Sequence, residues 1–105
     1  MQKLCSLSEL EDRQSRGFTI GEDAIFTVRQ GQQLYIYRNR CPHLGIQLEW
    51  LEDKFLDYDG ELIQCSTHGA LFTIDEGFCV SGPCGGQSLT PVEHERRGDE
   101  IWVQL

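Results

Sequence analysis

CPHLG, residues 41–45, sets a thiol and an imidazole two positions apart. CSTHGALF, residues 65–72, sets a second thiol and imidazole three positions apart. A glycine comes just after the histidine in each, as Gly45 and Gly69. Thiolate sulfur and neutral imidazole nitrogen are ligands for zinc, iron or copper, whereas hard cations prefer oxygen. The repeated pairing therefore directs attention to a soft or borderline metal held by Cys41, His43, Cys65 and His68.

The rest of the chain bounds what such a centre serves. Its 105 residues suffice for one domain, 1–105, with a modest core that a metal centre would help stabilise. The formal net charge of -8 repels nucleic-acid phosphates and is suited to a partner with a basic patch, or simply to solubility. The N-terminal stretch has no apolar segment of signal-peptide length, and no apolar run approaches the roughly 20 residues that cross a bilayer. A soluble, cytoplasmic chain without membrane contact is the expectation. Five cysteines is an odd count, which argues against a complete disulfide framework.

Glycine and charged turn signals cut the chain into short β-rich runs. AIFTV (24–28) and QLYIY (33–37) flank RQGQ and predict a hairpin with a four-residue loop. The Asp-Gly turn in DYDGE (57–61) precedes a strand in LIQC. ALFTI and FCV around DEG (75–77) predict a second hairpin, and LTPVEHER and EIWVQ around RGD (97–99) a third. Pro91 is expected at an edge or bend, since it has no N–H to donate. Only SLSELEDRQ (6–14) has helical character, with Ser6 and Glu9 spaced as a capping box. An all-β domain of small antiparallel sheets follows, with both Cys/His pairs on loops between strands.

Three readings of those pairs compete. Ordinary buried thiols and structural histidines explain one pair more readily than two. A zinc site uses the same four residues, but zinc-finger spacing puts two cysteines on one arm and two histidines on the other, whereas here each arm carries one of each. A cluster of two irons and two bridging sulfides needs two protein ligands per iron. Two facing loops, each giving one sulfur and one nitrogen, meet that need, as in Rieske centres.

The sequence resembles the Rieske ferredoxins along nearly its whole length. CPHLG matches the family's Cys-x-His-x-Gly box, and CSTHGALF matches Cys-x-x-His-Gly followed by a small residue and an aromatic. GFCVSGPCG (77–85) matches the Gly-Pro loop that covers the cluster. The resemblance implies a Rieske fold with one [2Fe–2S] cluster per chain. It implies that Cys41 and Cys65 bind the inner iron, and His43 and His68 the outer, solvent-nearer iron. It also implies a one-electron carrier rather than an enzyme, fed by a reductase and delivering to an oxygenase or other acceptor. Only His94 remains for a mononuclear iron triad, and no Gly-rich nucleotide loop is present, so neither oxygenase nor reductase chemistry resides in the chain itself. A small Rieske subunit of a larger enzyme, similar to those of nitrite reductases, and a zinc-stabilised binding module are the alternatives.

The gap from Leu44 to Gln64 is longer than in simple Rieske ferredoxins. It carries Glu49, Glu52, Asp53, Asp57, Asp59 and Glu61 against Lys54 alone. It reads either as a docking edge or as a solvated hairpin. Pro42 and Pro83 stiffen their loops, and Gly45 and Gly69 permit positive φ or close approach to sulfide. Cys5, Cys79 and Cys84 are expected as reduced packing thiols, although Cys79 and Cys84 are near enough in sequence to pair. His94 is expected on a surface strand, and Trp50 and Trp102 in packing.

Respiratory Rieske proteins, which the chain resembles at both boxes, place disulfide-bonded cysteines where Ile46 and Thr67 stand. They place a serine and a tyrosine, donors to cluster sulfur, at Ala70 and Phe72. A donor aimed at sulfur stabilises the added electron, so its absence disfavours reduction. The expected potential lies near the low end of the Rieske range, about -150 mV rather than about +300 mV. Protein-film voltammetry checks this: Ala70→Ser and Phe72→Tyr are each expected to raise the potential, and a wild-type value clearly above zero contradicts the reading.

Overall fold

The computed structural model describes residues 1–42, 47–49, 51–66 and 69–105. AIFTV is apolar at every position but Thr27 because the strand that contains it is covered on both faces. In β3 (Asp23–Gln30), Ile25, Phe26, Thr27 and Val28 are all buried. β3 lies between β2 (Ser15–Ile20) and β4 (Gln33–Arg38) in an antiparallel sheet. Side chains alternate across a strand, so Ile25 and Ile36 face one apolar cluster while Phe26, Val28 and Tyr37 face another.

The first cluster lies under the sheet of β1 (Gln2–Ser6), β9 (Glu100–Gln104) and β8 (Glu93–Arg97), in that order. It includes Cys5, Leu7, Leu10, Val92, Ile101 and Val103. The second cluster is closed by the sheet of β5 (Leu62–Gln64), β6 (Leu71–Thr73) and β7 (Cys79–Ser81). It includes Leu48, Phe55, Ile63, Phe72 and Leu89, together with four of the cysteines, Cys41, Cys65, Cys79 and Cys84. The molecule is thus all-β, built of small antiparallel sheets, and no α-helix occurs among the described residues.

The three expected hairpins are present, with differences at their edges. β3 and β4 are joined by the two residues Gly31 and Gln32 rather than by a four-residue loop. Pro91 stays outside the ladders and makes an isolated bridge with Tyr37. SLSELEDRQ forms a single 3₁₀ turn, Leu7–Glu9, and the Ser6 side chain makes no cap. Asp99 serves instead: its carboxylate accepts from the Ser8 N–H and hydroxyl, and its carbonyl from the Leu7 N–H. The Arg29 guanidinium holds the turn from below through the Leu10 carbonyl at 2.6 Å. Strands β1 and β2 were not expected from the sequence. β1 pairs with β9, the most distant partner in the chain.

Cys5 is 5% exposed within the terminal cluster. Burial, with the nearby Glu9 carboxylate, pushes its thiol from the ordinary 9 up to about 11. At pH values between the two, the folded chain holds this proton and the unfolded chain has released it. Stability is therefore unaffected below pH 9 and is lost as pH rises through 11. Cys5→Ala is expected to flatten the fall in Tm between pH 9 and 11. An unchanged slope in thermal scans contradicts the assignment.

Candidate metal centre

Cys41 stands three residues beyond the end of β4 and is 2% exposed. Cys65 follows β5 directly and is fully buried. Both belong to one apolar cluster, so the fold brings the two box cysteines into the same part of the core. The second loop is closed at its neck by the Cys65 N–H donating to the Ala70 carbonyl at 2.8 Å. Gly69 has φ +62°, the positive φ expected of it. The loops are tied together where the Ser66 N–H donates to the Leu48 carbonyl at 2.8 Å. His43, Gly45, Ile46, Trp50, Thr67 and His68 lie outside the described residues. The side chains placed here, two buried sulfurs in an apolar shell, suit iron and sulfide.

The acidic connection between the boxes is anchored to the middle sheet at some of its residues and exposed at others. Phe55 is fully buried, stacks on Phe26 with ring centroids 4.3 Å apart, and lies directly over Gly17. Asp53 turns inward: its Oδ1 accepts the Gly17 N–H at 2.8 Å, and its carbonyl accepts the Ser15 hydroxyl at 2.7 Å. Ser15 Oγ in turn accepts the Phe55 N–H at 3.1 Å. Asp57 Oδ1 accepts the N–H groups of Glu61 and Leu62, setting the turn before β5. Glu49 accepts from Asn39 at 3.0 Å. Glu52, Asp59 and Glu61 are left exposed to solvent.

The Gly-Pro loop corrects one expectation. Cys79 and Cys84 are joined by a disulfide instead of standing as reduced thiols. The bridge is possible because β7 and the loop double back on each other: the Cys79 N–H donates to Gln87, and the Gln87 N–H to Cys84. Between them Gly82, at φ +100°, lies against the backbone of Ala70. A Cβ there would come within 2.8 Å of the Ala70 Cα, so only glycine lets this loop rest on the neck of the second thiol loop. His94 lies exposed on β8, with Nδ1 3.0 Å from the Val92 carbonyl. Trp102 is half-buried under the Arg97 guanidinium, 4.5 Å from its ring centre.

Residues 1–93 match the Rieske [2Fe–2S] domain family. The chain is a Rieske protein. It is 31% identical over 102 residues to the ferredoxin CarAc of Metapseudomonas resinovorans, covering 96% of this chain and 90% of that one. The ferredoxin component of the alkene monooxygenase system of Xanthobacter autotrophicus is 27% identical over 88 residues, 84% of this chain and 62% of that one. The ferredoxin of carbazole 1,9a-dioxygenase from Nocardioides aromaticivorans superposes with a TM-score of 0.76 at 22% identity, covering 98% and 97% of the two chains. A complex of reduced oxygenase and oxidised ferredoxin in carbazole 1,9a-dioxygenase contains a chain that matches with a TM-score of 0.75 at 26% identity, covering 96% and 89%. The cofactor of this Rieske protein is accordingly one [2Fe–2S] cluster.

The disulfide has a measurable weight. Closing a loop of about six residues is worth about 2 kcal/mol in the chain-entropy account. Replacing Cys79 and Cys84 together by serine is expected to lower stability by about that amount in denaturant titration. Alkylation of the unfolded, unreduced wild-type chain is expected to stop two cysteines short of full labelling. Complete labelling contradicts the bridge.

Proposed function

We propose that this chain, as one domain over residues 1–105, is a one-electron carrier that takes an electron from a reductase and passes it to an oxygenase. In this reading Cys41 and Cys65 bind the inner iron, and His43 and His68 bind the outer iron. The supporting observation is the joining of the two thiol loops: Cys41 and Cys65 share one buried cluster, and the Ser66 N–H ties the neck of the second loop to Leu48 beyond the first. The cluster, once bound, supplies a site for one electron. The protein's share is ligation and exclusion of water. Leu48, Ala70, Phe72 and Leu89, all nearly fully buried, make the sulfur environment apolar, and a low-dielectric shell influences a cluster's potential. The match to ferredoxin components of oxygenase systems supports the choice of acceptor.

No helix among the described residues is long and apolar enough to cross a membrane. We place the protein in the cytoplasm. The Cys79–Cys84 bridge, uncommon in a reducing compartment, is buried at both cysteines, and thiol exchange depends on access.

Purified protein is expected to contain two irons and two acid-labile sulfides per chain, and to give the low-average-g EPR signal of a mixed histidine–cysteine cluster when reduced. Cys41→Ser and Cys65→Ser are each expected to abolish most of the iron content. One zinc per chain with no iron after reconstitution, or full iron retention in both variants, overturns the assignment.

A further inference from the structure

We infer that Asn39 is a positioning residue for the cluster, holding the two ligand loops in register from outside the ligand set. This rests on the ligand reading above and extends it to a side chain that neither box contains. Asn39 is a buried polar residue, 7% exposed, at the exit of β4. Its backbone N–H donates to the Ala24 carbonyl on β3 at 2.9 Å, which fixes it to the middle sheet. Its side chain reaches across the mouth of the first loop. Oδ1 accepts the buried Leu48 N–H at 2.8 Å, and Nδ2 donates to Glu49 Oε1 at 3.0 Å.

The first loop therefore leaves the sheet at residue 39 and is closed at residues 48 and 49 by the same amide. Across its Cα, Leu48 then continues the tie, because its carbonyl accepts the Ser66 N–H of the second loop. Sheet, first loop and second loop are joined in one line: Ala24, Asn39, Leu48, Ser66. An amide is the side chain this place requires. It must accept from a backbone N–H and donate to a carboxylate at the same time, which leucine does with neither end and aspartate with only one. Without Asn39 the Leu48 N–H is a buried donor with no side-chain acceptor, and that tie is lost.

The test is the rate at which the holoprotein gives up iron to a chelator, read with hydrogen exchange at the Leu48 and Ser66 amides. Asn39→Ala is expected to speed iron release about tenfold, the order set by orphaning one buried N–H, and to raise exchange at both amides. Val103→Ala, in the other core, is the control: it lowers Tm while leaving iron release within about twofold of wild type. Asn39→Asp alone sets two carboxylates face to face and is expected to release iron fast. Asn39→Asp combined with Glu49→Gln restores both hydrogen bonds at unchanged net charge and is expected to return release and exchange to wild type. The inference is overturned if Asn39→Ala releases iron at the wild-type or Val103→Ala rate. If Asn39→Ala does not fold, it is overturned by a double variant no slower than Asn39→Asp. A wild-type chain that holds no iron ends the cluster reading itself, whereas unmoved rates in an iron-bearing chain end only the role of Asn39.

Discussion

The two thiol loops meet at the backbone of one residue, Leu48. A two-loop site must bring together segments that the chain separates by a long connection, and the entropy of that connection opposes the meeting. The Leu48 N–H is taken by Asn39 and its carbonyl by Ser66, so the two peptide groups that flank one Cα tie the exit of β4 to the second loop. The connection beyond it is then pinned twice more to the middle sheet, by Asp53 on Gly17 and by Phe55 on Phe26. A stretch that would otherwise be a floppy tether thereby contributes Phe55 to the core.

Local patterns made much of this legible. Apolar-rich runs marked β3 to β7 and β9, the Arg-Gly-Asp turn marked β8 beside it, and the two boxes marked the thiols that prove to share a core. What stayed hidden depends on partners remote in sequence. β1 is a strand only because β9 lies beside it, and QKLCS has no strong pattern of its own. β2 is interrupted by Gly17, which reads as a weak strand position until Phe55 is seen lying over it. The capping of the 3₁₀ turn comes from Asp99 rather than from the Ser6–Glu9 spacing, since the β1–β9 pairing sets the carboxylate of the β8–β9 turn against Ser8. The one local signal at Asn39 is an amide just past the end of β4, two residues before the first Cys/His box.

The acidic connection illustrates why charge counts alone mislead. Three of its carboxylates, Glu49, Asp53 and Asp57, accept hydrogen bonds from the chain's own N–H groups. Such carboxylates act as internal braces: removing Asp53 or Asp57 leaves backbone donors unmatched, and removing Glu49 leaves the Asn39 side-chain amide so. Glu52, Asp59 and Glu61 are the ones available to meet a basic partner. The Gly-Pro loop has a comparable double character. Its glycine lets it lie on Ala70, and its disulfide keeps it folded over although β7 is only three residues long.

The pairing of β1 with β9 separates the two cores. Among the described residues, the core that holds Cys41 and Cys65 draws its buried members from Phe26 to Leu89. The other core takes Ile101 and Val103 from β9, which is also the ladder partner of β1. Fraying of the terminal sheet therefore opens one core, while the two thiols keep buried neighbours that neither terminal strand supplies.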